Sequence, residues 1–412
     1  MNILLLIPIF VITVGAYMLF RLRFFIFRPK ALFRDVRGLL KKSGAFKNLC
    51  LALSGTLGVG NIVGVAVGLK IGGAGSVFWL MISAIPAAVI KYSESALAAS
   101  GGGEGMMCVI ESSFKKTGRG AARVYALFAV LLALLMGAGL QCASFSETFA
   151  SLFGISDFFP LLIIFIPAAL VMLFGASKIK DLTALSVSTA SVVYVFSALY
   201  LIFLGRVNLP SAIGSIFSCA FTSRAAVGGA GAALVTHALR EGFCRGILSN
   251  EAGLGTSAMA HATDARYTSH EAGLIGVLEV IFDTAILCPL SALMLLTSGD
   301  GRIHDPIGYV LSAVSKGGDA VEYLFAVSIF CFAFSTVICW ISYGSLAFSY
   351  LFGKRRGIFA FLFLLALPTG SLVGAGTLVL MIDYVMLPLA VICMLTLIKN
   401  SDRAVLLYRS KK

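Results

Sequence analysis

The chain has 412 residues, of which 59% are apolar and only 12% charged, and its mean hydropathy is +0.98. A soluble domain carries about twice that charged fraction, so a water-soluble enzyme or binding module is excluded and the bilayer is the expected partner. The net charge of +13 does not point to nucleic acid, because the basic residues gather in particular loops without interleaved aromatics.

The first apolar segment, NILLLIPIFVITVGAYMLF, lacks a basic leading region and a small-residue cleavage site. Its positive charge follows it, in RLRFFIFRPKALFRDVRGLLKK, so a retained spanning helix is expected rather than a cleaved leader. Taken in order, the apolar runs give about eleven crossings, near 2–20, 47–70, 73–99, 121–150, 158–177, 180–205, 228–263, 268–298, 319–350, 356–374 and 376–398. With that count, the basic loops fall on one side of the membrane: 21–47, Lys115 to Arg123, Lys178 and Lys180, Lys354 to Arg356, and the tail after Lys399. The positive-inside rule then places the N-terminus outside and the C-terminus in the cytoplasm of a plasma-membrane protein.

Two spans are interrupted. The second holds LSGTLGVGNIVG, with Gly55, Gly58, Gly60 and Gly64, and the seventh holds LSNEAGLGTSAMAHA, with Gly253 and Gly255. Each glycine costs a helix about 1 kcal/mol, and the backbone groups freed by unwinding must face an enclosed cavity rather than lipid. With the first span set aside, the interrupted helices open two sets of five that cross in opposite directions. The expected organisation is an N-terminal helix and basic segment (1–46), one five-helix repeat (47–205), an external loop (206–227), a second, inverted repeat (228–398) and a basic tail (399–412). Opposed repeats with broken first helices are the pattern of a secondary transporter with its site at the midplane.

At the second break, the C-terminal end of one half-helix offers carbonyls to a cation or ammonium group. The N-terminal end of the other offers N–H groups to a carboxylate, so the pair suits a small zwitterion. Glu251 then either meets the ammonium group, braces the unwound backbone, or pairs with an arginine. Arg240, Glu241 and Arg245 are expected near the outer vestibule, the last two pairing at a spacing of four. Gln141 is either interhelical glue or a substrate contact. Trp340 is expected in the interfacial belt. Ser335 and Thr336 either bond back to the preceding turn or supply oxygens to Na⁺. Glu279 and Asp283, four apart on one helix face, offer an alternative, proton-coupled carrier. The fragment GVGNIVG has no preceding strand to make it a dinucleotide loop. The 9 cysteines and 4 histidines show no paired or metal-ligand spacing. A membrane enzyme lacks a clustered base and nucleophile, and a non-transporting sensor lacks a signalling domain.

Four stretches resemble the sodium:alanine (alanine or glycine:cation) symporter family: the basic FRLRFFIFRPKALFRDVRGL, GVGNIVGVAVGLKIGGAGSVFWLMISAIPAAVIKYSE, RGILSNEAGLGTSAMAHA, and FAFSTVICWISYGSLAFSYLFG. The resemblance implies an all-α membrane fold like that of the leucine transporter, with five plus five inverted helices and one extra N-terminal helix. It implies Na⁺-driven uptake of alanine, glycine or a similar small neutral amino acid, with no organic cofactor. Carried onto this chain, Na⁺ meets the carbonyls of Ser54, Leu57 and Phe332 and the hydroxyls of Ser335 and Thr336. The substrate lies against Gly58, Val59, Gly60 and Asn61 and against Leu248, Ser249, Asn250, Glu251 and Gly253, with Gln141 and Trp340 nearby. The chain departs from the pattern where Val59 replaces threonine, Leu248 replaces phenylalanine and Ala74 replaces proline. GEGMMCVI is a reduced form of another motif, and Lys70, Glu279 and Pro289 are atypical. Loss of the aromatic at 248 widens the expected side-chain range.

Overall fold

The computed structural model describes residues 3–42, 45–101, 105–156, 158–174, 180–221, 230–262, 267–301, 305–353 and 355–410. Lys178, Lys354, Lys411 and Lys412 of the charge argument, and 222–229 of the expected outer loop, lie outside them. The described residues are helical with short connections. In chain order they form α1 (Leu6–Arg21), α2 (Pro29–Leu40), α3 (Ala45–Thr56), α4 (Val65–Gly72), α5 (Gly75–Gly101), α6 (Met106–Ser113) and α7 (Gly118–Leu132). There follow α8 (Gln141–Phe153), α9 (Phe158–Phe174), α10 (Lys180–Leu204), α11 (Leu209–Phe221), α12 (Ala230–Asn250), α13 (Ala258–Ala262), α14 (Ser269–Val280) and α15 (Cys288–Ser298). The last five are α16 (Pro306–Val314), α17 (Asp319–Phe352), α18 (Arg356–Val373), α19 (Ala375–Lys399) and α20 (Ser401–Arg409).

Among the described residues, seven helices are long and apolar enough to cross a membrane, or eight if the bent pair on either side of residue 57 is one span. Eleven were expected from the apolar runs. The difference lies in three helices: Phe158–Leu173 and Gly357–Val373 are apolar but short, and α12 carries Arg240, Glu241 and Arg245. Leu173, Leu185, Phe196 and Phe361 stand more than half exposed, an apolar belt of the kind that acyl chains cover. Part of the expected outer loop is itself helix, as α11 packs on α5 and α15.

The helices sort into two groups. α3 and α4, α5, α12 and α13, and α14 and α15 pack on one another; α7 and α8, α9, α17 and α18 form a second set. The groups meet where α3 touches α17, with α10 packed against both sets and α19 against α7. α1 lies outside, on α5 and α19. Winding changes to π at 60–64, 133–140 and 281–287. The third of these runs up to Pro289, which has no N–H to donate.

Candidate functional site

The first break is shorter than the glycine pattern suggested. α3 stops at Thr56, the chain bends by 50°, and winding resumes at Gly60, so Gly60 and Asn61 belong to a wound π segment rather than to unwound chain. Two facing helices satisfy the freed peptide groups. From α17, the Thr336 hydroxyl donates to the Leu57 carbonyl (3.2 Å) and the Trp340 indole N–H to the Gly55 carbonyl (3.3 Å). At the start of α8, the Gln141 side-chain oxygen accepts the Val59 N–H (3.3 Å), while its amide nitrogen donates to the Met136 carbonyl (3.1 Å). This approach needs a glycine at 58: a Cβ there would stand 2.8 Å from the Thr336 hydroxyl and 3.1 Å from the Gln141 oxygen. Gly58, Val59, Gly60 and Asn61 are all buried. Neither polar atom of the Asn61 amide has a hydrogen-bond partner among the described residues.

The five residues expected around Na⁺ form a mixed set. Ser335 donates to the Phe332 carbonyl at 3.1 Å, the back-bonded alternative, whereas Thr336 reaches across to Leu57. The Ser54 hydroxyl bonds locally, to the Leu51 carbonyl at 2.6 Å. Hydroxyl and carbonyl oxygens are the ligand type a hard cation takes, and Thr336 with Leu57 brings one of each together between the two helix groups.

The second break runs from Glu251 to Ser257. Its left-handed residues include Glu251 (φ 56°), strained for a side chain with a Cβ, and Gly253 (φ 85°) and Gly255 (φ 71°), where glycine relieves that strain. Peptide groups on both sides of Glu251 are already met from α5. The Glu94 carboxylate accepts the N–H groups of Gly253 (3.2 Å) and Gly255 (3.1 Å), and the Lys91 ammonium donates to the Asn250 carbonyl that ends α12. Lys91 also stands 3.2 Å from Glu279, and Tyr125 donates to the Leu254 carbonyl at 2.7 Å. Unpaired peptide groups or charges at this depth each cost several kcal/mol. The chain therefore carries its own donor and acceptor, Lys91 and Glu94, three residues apart on α5, to hold the break open.

This corrects three expectations. Glu94, not Glu251, braces the unwound backbone, and the Glu251 carboxylate instead accepts the Thr256 hydroxyl. The carbonyl end of α12, expected to face an ammonium group of the substrate, is met by the Lys91 ammonium. Trp340 is fully buried against Gly137 and the first break, so it takes no part in an interfacial belt. The signal for Lys91 and Glu94 was in the sequence, as opposite charges on one face of an apolar span in KYSE.

Around the break, Ser249 donates to the Asp283 carboxylate and lies 3.1 Å from the Cys288 sulfur. The Asn250 side chain donates to Thr284 and accepts the Ala252 N–H, both at 2.8 Å. Leu248 faces the first break, with its Cδ2 3.0 Å from where a Gly64 Cβ would stand. The π segments 60–64 and 281–287 touch. Glu251 Oε1 and Asp283 Oδ2 have no hydrogen-bond partner among the described residues. Asp283 and Glu279 share a helix face, Asp283 accepting from Ser249 of α12 and Glu279 standing beside Lys91 of α5.

Beyond this site, toward the end of α4, Arg245 is buried and pairs with Asp383 of α19, with Glu241 at 3.5 Å. Arg240 closes the network on Glu241 at 2.5 Å. These groups were expected beside a vestibule, but they are buried between α12, α4 and α19. A separate cavity of 370 Å³ opens at the same end, lined among others by Val67, Lys70, Glu147, Asp305 and Ala375.

Residues 1–410 match the sodium:alanine symporter family. A sodium/alanine symporter of Methanococcus maripaludis is 32% identical, covering 75% of this chain and 71% of its own. A probable sodium/glutamine symporter of Bacillus subtilis is 30% identical, covering 86% and 76%. Among solved structures, an Eremococcus coleocola manganese transporter superposes with a TM-score of 0.58 at 16% identity, over 86% of this chain and 77% of the other, a likeness of fold alone. The chain belongs to the sodium:alanine symporter family and is a multi-pass membrane transporter, not an enzyme.

Proposed function

We propose that this transporter couples the inward movement of Na⁺ to uptake of a small neutral amino acid across the plasma membrane, by alternating access. The observation that carries the reading is the meeting of Leu57 and Thr336, where a broken helix of one group and an unbroken helix of the other bring oxygen ligands together. Na⁺ held there, with Ser54, Phe332 and Ser335 completing the set, ties the two groups of helices to each other. Moving one charge down 100 mV supplies about 2.3 kcal/mol, enough to drive accumulation. The chain crosses the membrane eleven times, with N-terminus outside and C-terminus inside, and the helix packing supports a leucine-transporter-like inverted repeat. The first two spans of each half form one group and the next two of each half supply the other.

The substrate lies between the two breaks, against 58–61, Gln141 and Trp340 on one side and Leu248 to Gly253 on the other. Because Lys91 meets the carbonyl end of α12 and Glu94 the N–H groups of Gly253 and Gly255, the substrate's charged groups fall to the Asn61 amide, the peptide groups of the first break, and the open oxygens of Glu251 and Asp283. Leu248 in place of an aromatic leaves room for a side chain larger than that of alanine, and the relative named a probable sodium/glutamine symporter supports that range. A second reading has one specific support: the unpartnered Asp283 oxygen is a place for a transported proton. Labelled alanine, glycine and glutamine offered to the reconstituted protein, with a Na⁺ gradient or with a pH step alone, separate the two. Uptake under neither gradient removes both.

A further inference from the structure

We propose that the segment 21–42 is a docking surface for anionic phospholipid headgroups, lying in the membrane interface beside α1. It holds eight basic residues and one acid, and the acid, Asp35, is already engaged by Arg34 at 3.7 Å and faces His270 at 4.0 Å. The helical period puts Lys30, Arg34, Arg37 and Lys41 on a single stripe of α2. All four are exposed, and the Arg34 side chain is 79% exposed.

The flanks of that stripe decide what it faces. Leu39 is buried, and Leu32 and Val36 are half-buried against the protein. The apolar arc then continues past the protein to Phe33 and Leu40, which are 69% and 45% exposed and border the basic row. A helix lying flat in the interface would sink those two side chains into the acyl boundary and set the basic row at headgroup depth. The preceding turn repeats the arrangement. Phe25 is buried between Tyr92 (4.9 Å) and Tyr408 (5.2 Å), which anchors the turn, while Phe20, Phe24 and Phe27 project outward among Arg21, Arg23 and Arg28. A purely electrostatic surface for a soluble acidic partner would not carry these exposed phenylalanines. On the orientation proposed above, this leaflet is the cytoplasmic one, where anionic lipid attracts each juxtamembrane basic residue.

The platform is also tied to the transport core. Lys42 pairs with Glu271 at 2.6 Å, and Glu271 closes the capping box that begins α14, the helix whose later turns hold Glu279 and run on to Asp283. Arg21 pairs with Asp402 of α20.

The test measures lipid association directly, so it stands whether or not the transport reading does. The full chain is reconstituted in phosphatidylcholine with phosphatidylglycerol admixed, and spin-labelled analogues of each lipid report their association with the protein. The expected result is a preference for phosphatidylglycerol of about threefold or more at low ionic strength. It should fall toward parity at high salt, and in a Lys30→Gln/Arg34→Gln/Arg37→Gln/Lys41→Gln variant. The matched Arg34→Lys/Arg37→Lys variant keeps the preference, which separates charge from damage to the fold. Equal association of the two lipids with the wild type overturns the proposal. So does a preference that survives in the glutamine variant, or one abolished by excess inorganic phosphate at constant ionic strength, which would mark a site for the free anion.

Discussion

Lys91→Met removes the ammonium that caps the carbonyl end of α12. In the wild type this group is fully buried, bonded to the Asn250 carbonyl and 3.2 Å from Glu279. Methionine has nearly the same length, so the change is one of charge and not of volume. Breaking a buried ion pair by deleting one partner costs about 3–5 kcal/mol, because the remaining charge stays in low dielectric. Lys91→Met/Glu279→Leu removes both charges and leaves mainly the loss of the ammonium–carbonyl bond, about 1.5–3 kcal/mol for a hydrogen bond to a charged group. The double variant should therefore be more stable than the single one by about 2 kcal/mol. Unfolding titrations of the purified proteins in detergent micelles, followed by circular dichroism, give both differences. A single variant within about 0.5 kcal/mol of wild type, the range of ordinary surface substitutions, refutes the bracing role. So does a double variant less stable than the single.

Thr336→Ala withdraws the hydroxyl that faces the Leu57 carbonyl and should weaken apparent Na⁺ affinity roughly tenfold, the equivalent of one lost ligand bond of about 1.4 kcal/mol. Thr336→Ser should restore it, and an unchanged Na⁺ dependence of uptake rejects the site. Leu248→Phe places a larger side chain beside Gly64 and should narrow the accepted amino acids toward glycine and alanine; competition assays with no shift in ranking count against the pocket assignment. Gly137→Ala would put a methyl 2.6 Å from Trp340 Cγ and should destabilise by about 1–3 kcal/mol through overpacking. Gly120→Ala, with nothing within 4 Å, is the neutral control, and equal melting temperatures for the two would contradict the packing described.

What sequence determines here is set by local physics. Apolar length identifies most of the spans, the glycines of 53–64 and 248–255 place the two interruptions to within a few residues, and the motifs assign the family. Tyr125, Gln141, Thr336 and Trp340 illustrate what it does not determine. Each lies on a helix that reads as an ordinary span; the resemblance set Gln141, Thr336 and Trp340 near the site, but only packing shows that each of the four gives its hydrogen bond to, or takes one from, a peptide group of a break far away in the chain. The same holds for Lys91 and Glu94 of α5. A broken helix in isolation presents its dipole ends to whatever comes, and sequence periodicity carries no information about which neighbour arrives. Tertiary packing brought Lys91 to the carbonyl end of α12 and Glu94 to the N–H groups of Gly253 and Gly255, so that buried peptide groups and buried polar side chains, each costly alone, satisfy one another. That choice moved the expected substrate contacts from the second break toward the first.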